Sequence, residues 1–185
     1  HGPEREYAIH VLDSDLRHVR SFGTPPRVAN AVVRSDWGTG FLQPTADGQL
    51  MYSRRLPYEL YRLSEKGEVV QLVKAPFRID QTPDDAFDVE IGTRGIRKTL
   101  LYGIPRPQRA FVLRDGRILA GRHVTISATD HNAYLDLFSS TGSIEHSSQL
   151  PNDWTTAVAY DSKRNSLWIA GYSKQGPLLV RADLQ

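Results

Sequence analysis

The chain has 185 residues, 39% hydrophobic and 24% charged, with a formal net charge of +2, which is the balance of an ordinary globular domain long enough to bury a core. So small a charge gives no ground for a nucleic-acid partner, and no apolar run is long enough to cross a bilayer as a helix. Cysteine is absent, which excludes disulfides and thiolate chemistry without fixing the compartment. The first residue is His1 rather than Met, as expected of a chain that is processed or cut from something longer.

Helical periodicity does not occur over any window of useful length. Short β-rich runs follow one another instead, roughly 14 in all. In chain order they include Tyr7 to Leu12, Gln49 to Tyr52, Glu59 to Leu63, Arg117 to Ala120, Tyr134 to Phe138 and Ser166 to Ala170. The pairs Asp47-Gly48, Lys66-Gly67, Asp115-Gly116, Thr141-Gly142 and Arg164-Asn165 separate them, and such pairs supply the positive φ of tight hairpins. In Leu167-Trp168-Ile169-Ala170 every position is apolar, the pattern of a strand covered on both faces.

The runs repeat as units. Asp47-Gly48-Gln49-Leu50-Met51 returns as Asp115-Gly116-Arg117-Ile118-Leu119 and, more loosely, as Arg164-Asn165-Ser166-Leu167-Trp168. A second unit, a hydrophobic strand ending in a small polar residue, begins at Ile9, Leu60, Leu135 and Leu179, at steps of 51, 75 and 44 residues. Propeller-type repeats of four strands run about 40 to 50 residues. The long step carries an excursion near 76–106 with Pro76, Pro83, Pro105 and Pro107. Asp36-Trp37 and Asp153-Trp154 each lie 12 residues before the Gly48 or Asn165 of their copy. The same offset in the middle copy falls on Ile104, beside Pro105-Arg106.

Ala46 to Tyr52, followed by Pro57 to Val69, resembles one blade of the bacterial six-bladed β-propellers, the broad group that includes the NHL-repeat and TolB-like proteins. His10 to Arg17 and Val19 to Gly23 resemble the outer two strands of such a blade. The resemblance implies an all-β fold of four-stranded antiparallel blades, about three to three and a half of them, in one partial domain. Its expected parts are outer strands over 6–23, a blade over 36–74, the excursion 76–106, a blade over 108–150 and an incomplete blade over 153–185. An open ring leaves bare blade faces and strand edges, so the expected partners are the remaining blades of the same precursor or a second copy of the chain. A compact four-bladed closure is the alternative.

This architecture serves enzymes and binding modules alike. The leading expectation is a non-enzymatic module for a protein, peptide or glycan, in a periplasmic or secreted location. The alternative is a lactonase-like hydrolase or lyase, in which calcium or another divalent metal polarises a carbonyl at the channel mouth. A purely structural piece of a larger secreted protein is the third reading.

Candidate site residues follow from these expectations. Asp36, Trp37, Arg106, Asp153 and Trp154 are placed at the channel mouth as ligand-binding candidates. For the Asp-Trp pairs the competing reading is structural, each Asp capping a turn and each Trp packing between blades. His123, Asp130, His131 and Asn132, the last three in a loop after the strand ending at Ile126, are the metal candidates. Arg54-Arg55 reads as a solvated hairpin face. The acidic stretch 80–90 and the basic stretch 94–122 read as complementary docking surface or as an internally salt-bridged excursion.

Overall fold

The computed structural model describes residues 9–23, 40–55, 58–77, 87–92, 95–101, 103–127, 130–151, 154–173 and 175–184. These contain strands and turns and no helix, which confirms the all-β expectation. β1 (Ile9–Leu12) and β2 (His18–Phe22) form a hairpin. β3 (Gly40–Pro44), β4 (Leu50–Arg54), β5 (Glu59–Leu63) and β6 (Val69–Lys74) form a four-stranded meander. β7 (Phe87–Gly92) and β8 (Gly95–Leu101) pair as a separate hairpin inside the long proline-bearing stretch. A second four-stranded meander holds β9 (Arg106–Val112), β10 (Ile118–Thr125), β11 (His131–Phe138) and β12 (Ile144–Gln149). Three strands complete the order: β13 (Trp154–Asp161), β14 (Ser166–Ser173) and β15 (Gly176–Asp183). Every pairing is antiparallel between sequence neighbours.

The turns explain why the chain folds back where it does. Segments 13–17, 45–49, 64–68, 113–117 and 139–143 share one hydrogen-bond pattern. In each, the first residue's N–H donates to the fifth residue's carbonyl, and the fourth residue's N–H donates back to the first carbonyl. The fourth residue has positive φ every time: Leu16 at 61°, Gly48 at 79°, Gly67 at 85°, Gly116 at 87° and Gly142 at 95°. That is the geometry Gly adopts without cost. The small polar residue ending the second repeat unit has a job here. Ser64 and Ser139 hydroxyls and the Asp13 carboxylate each accept the N–H four residues on, from Glu68, Ser143 and Arg17.

Strand alternation then gives each of the two four-stranded sheets two apolar faces. Ile9 and Phe22 of the first hairpin pack with Leu50, Tyr52, Tyr61 and Leu63 of the β3–β6 sheet. The opposite face of that sheet, with Met51, Leu60 and Val73, meets Ala110, Ile118, Ala120 and Phe138. The alternate residues of the β9–β12 sheet, Phe111, Leu119, Leu135 and Leu137, meet Ala157, Leu167 and Ile169. β10 therefore carries five successive buried residues, Ile118 to Arg122. The β1–β2, β3–β6, β9–β12 and β13–β15 sheets pack one on the next in chain order, and each buried Leu or Ile between them contributes about 1.5–3 kcal/mol.

Polar contacts repeat at the seams. Arg20 donates to the Glu65 carbonyl while Phe22 lies against Gly67. One sheet later, Gln71 Nε2 donates to the Ser140 carbonyl at 2.8 Å while Val73 lies against Gly142. Arg114 grips the next hairpin through the Ser162 and Lys163 carbonyls. Arg109 donates to the Val158 carbonyl at 2.6 Å.

A Cβ at Gly142 would stand 3.0 Å from Val73 Cγ2 on a backbone with φ of +95°. Gly142→Ala is expected to cost about 1–3 kcal/mol, whereas Leu16→Gly, which relieves the same φ on an exposed side chain, stabilises by up to about 1 kcal/mol. Urea titration of both variants checks the two signs.

Candidate ligand cleft and the buried charge network

Three hairpins converge where β3, β9 and β13 end. Gln43, Pro44, Thr45 and Ala46 leave β3, Ala110 to Val112 run along β9, and Ala159, Tyr160 and Ser162 leave β13. Between them is a cleft of 330 Å³ floored by Met51. A second cleft of 360 Å³ adjoins it. The two share Thr45, Ala46, Val112 and Ser162, and the second extends to Asp47, Arg62 and Arg114. The lining mixes apolar Pro44, Ala46, Phe111 and Val112 with polar Gln43, Thr45, Tyr160 and Ser162. Its charged side chains are already engaged within the protein. Asp47 accepts from the Thr45 hydroxyl and from Arg62. The Thr45 hydroxyl, supported by Arg62, holds the Asp47 carboxyl below the usual carboxylate range. Arg114 is occupied by the hairpin carbonyls described above.

A charge network is buried at the seam between the two four-stranded sheets. Asp136, fully buried on β11, accepts four hydrogen bonds. Arg122 of β10 grips it bidentately, Nε to Oδ2 at 2.7 Å and Nη2 to Oδ1 at 3.1 Å. The Ser147 hydroxyl donates to Oδ1 at 2.6 Å, and the Tyr58 hydroxyl crosses from the preceding sheet to Oδ2 at 3.2 Å. The guanidinium is also sandwiched, 4.3 Å from the Phe77 ring centre and 3.9 Å from that of Tyr134, and such stacking adds to the pairing. Burial first, and then the Asp136 charge, push the Tyr58 hydroxyl well above its ordinary pKa, so it stays a donor.

The equivalent position one sheet earlier is Arg54, with a different set of partners. Arg54 donates to Glu59 at 3.1 Å and to the Tyr61 hydroxyl at 3.2 Å, and both members of its ion pair are only 13% exposed. The expected solvated hairpin face is thus corrected. Cross-strand register sets Arg54 opposite Glu59, and Arg55 lies over the Phe41 ring.

The remaining sequence candidates fall as follows. Asp36, Trp37 and Asp153 lie outside the described residues. Trp154 opens β13, paired through its backbone with Gly171. Arg106 opens β9 and donates to the Thr125 hydroxyl at 2.6 Å. His123 and His131 have ring centres 5.6 Å apart. Asp130 accepts from the Ser127 hydroxyl at 2.7 Å, and Asn132 donates to the Tyr134 hydroxyl at 3.4 Å. His131 and Asn132 belong to β11 rather than to the loop, because the register pairs Thr125 with His131 and leaves only 126–130 to turn. Among the described residues no group of three or more His, Cys, Asp or Glu could hold a metal ion. Among the described side chains of the basic stretch, Arg117 pairs with Asp115, and Arg106, Arg109, Arg114 and Arg122 have the partners given above; the side chains of Arg94, Arg97 and Lys98 lie outside the described ones. The β7–β8 register sets Glu90 opposite Lys98. No helix among the described residues is long and apolar enough to cross a membrane.

Sequence reasoning passed over Asp136, although the signal was there. A carboxylate inside Tyr134-Leu135-Asp136-Leu137-Phe138, a strand apolar on both faces, must be paired to be buried. No protein-family model matches the chain, and no curated protein matches it.

Removing one member of a buried ion pair costs about 3–5 kcal/mol, while replacing both members by apolar groups costs far less. Asp136→Ala is therefore expected to destabilise by that amount, and Asp136→Leu with Arg122→Met to recover most of it, as measured by denaturant titration. The raised Tyr58 pKa implies stability that is complete below about pH 10 and lost above it, where the unfolded chain releases the proton that the folded state keeps. The advantage of the wild type over Tyr58→Phe should shrink above pH 10 by up to about 1.4 kcal/mol per pH unit. Tyr52 and Tyr61, also raised by burial, cancel in that difference.

Proposed function

We propose that the chain is part of a β-propeller-type binding module, of the six-bladed kind, that holds an uncharged peptide or glycan segment in the cleft between its inner hairpins. The observation that carries this reading is the pair of adjoining clefts formed by the ends of three successive inner strands. Each lies within the range of about 300–1,000 Å³ common to ligand pockets. Apolar walls of Pro44, Ala46, Phe111 and Val112 suit a sugar face or a small side chain. Gln43, Thr45 and Ser162 offer hydrogen bonds at the rim, where Asp47 and Arg62 neutralise each other and Arg114 is held by the Ser162 and Lys163 carbonyls.

The stack of blades is taken to continue, with the remaining blades of the same precursor as the favoured neighbour and a second copy of the chain as the other. Equivalent positions support this. Leu60, Leu135 and Leu179 pair at the same offset along their sheets. Leu60 is fully buried and Leu135 packs against the following sheet, whereas Leu179 is 58% exposed. Leu179 thus sits on a face that its two counterparts have covered.

A panel of short peptides and oligosaccharides, titrated against the protein and followed by backbone amide NMR, tests the cleft. A binder is expected to shift Thr45, Ala46, Val112 and Ser162, and Ala46→Trp, which fills the shared part of both clefts, to weaken it about tenfold or more without changing the melting temperature. Shifts confined to the opposite end, around Arg106, His123 and His131, would sink the proposal.

A further inference from the structure

Outside the cleft, the β1–β2 hairpin gathers a second set of side chains with a common focus. His10 is paired across the hairpin with Ser21, and His18 with Leu12. Ser21 shares the face of its partner His10, and the register shift between Val11 and Leu12, which leaves Val19 as an extra residue on β2, brings His18 onto that face as well. His10 Nδ1 is 2.7 Å from Ser21 Oγ, and His18 Nε2 is 2.6 Å from the same oxygen. The two ring centres are 6.0 Å apart. A serine hydroxyl has a single proton to donate. With both imidazoles neutral, one nitrogen accepts that proton and the other must arrive carrying its own. Two imidazole nitrogens thus converge on one point from different strands.

The hairpin is held for this. The Asp13 carboxylate accepts the N–H groups of Asp15 and Arg17 and fixes the turn. Arg20 and Phe22 anchor β2 on the turn of the following sheet. Both histidines are solvent-exposed, so an ion needs no opening to reach them.

The geometry points to a surface site for a divalent transition ion of the zinc class, with His10 and His18 as nitrogen ligands, the Ser21 hydroxyl beside them and water completing the shell. Imidazole nitrogen suits zinc, copper and nickel, and zinc binds it at about 2.0–2.1 Å. The ring that donates to Ser21 must first move that proton to its other nitrogen; a small rotation of each ring then brings a lone pair onto the ion, and the Ser21 hydroxyl keeps its own proton. Two protein ligands with open positions describe a site of modest affinity that exchanges with solvent.

The molecule contains its own control. His146 is likewise exposed on an outer strand and bonds a serine, Nε2 to Ser148 Oγ at 2.7 Å, without a second histidine beside it. Zinc chloride is titrated into the whole chain while the imidazole signals are followed by NMR. His10 and His18 are expected to shift with one common midpoint, about tenfold or more below that of His146. In His10→Ala the His18 midpoint should rise to that of His146. A shared midpoint for all three histidines in the wild type, a response from only one of the pair, or a His18 midpoint unmoved by His10→Ala would each overturn the assignment.

Discussion

No sheet in this protein has an interior of its own. Each is one layer thick, and its apolar side chains leave water only where the next layer covers them. Everything else follows from that constraint. Alternation along each strand must supply hydrophobic residues to both sides, and Met51 facing one way while Leu50 and Tyr52 face the other is how the β3–β6 sheet meets the demand. The first strands of their sheets, β9 and β13, carry small residues such as Ala110 and Ala157, both fully buried, where neighbouring layers meet. A layer of this kind gains its stability from its neighbours.

The polar seam contacts serve the same arrangement differently. Apolar faces attract without choosing a register. Arg122 and Asp136, fixed by four hydrogen bonds and two aromatic rings, choose one. Tyr58 is the member that matters for assembly, because it belongs to the preceding sheet and can reach Asp136 only when the two layers are correctly aligned. The Gln71 and Arg20 contacts to turn carbonyls repeat that logic at the outer edge.

Local chemistry was legible in the sequence and long-range chemistry was not. Asp-Gly and similar pairs located the turns because a positive φ is a property of a few adjacent residues, and Gly48, Gly67, Gly116, Gly142 and Asn165 all adopt it. The expected two-sided burial of Leu167 to Ala170 is met on one face only: Leu167 and Ile169 are buried against the preceding sheet, while Trp168 and Ala170, on the face that carries Leu179, are half-buried. Arg54 reads as a surface residue until the register with Glu59 is known. The cleft was invisible because it joins residues near 45, 112 and 162, among them Thr, Ala, Val and Ser, whose types announce no chemistry. The sequence drew notice instead to His, Asp and Trp, whose neighbours in space it could not name.

The five turns of fixed length all fall between strands in the same relation, first to second or third to fourth. The reverse connections differ among themselves: 55–58, 126–130 and 174–175 within sheets, and a stretch holding a whole extra hairpin between them. Lengthening a flexible connection costs little entropy, whereas a residue added to one of the five turns that shifted the register would turn the side chains of the following strand to the wrong face. The protein thus has a fixed gauge at one set of strand connections and a permissive one at the other. Novelty can accumulate at the permissive connections by insertion while the stack beneath keeps its spacing.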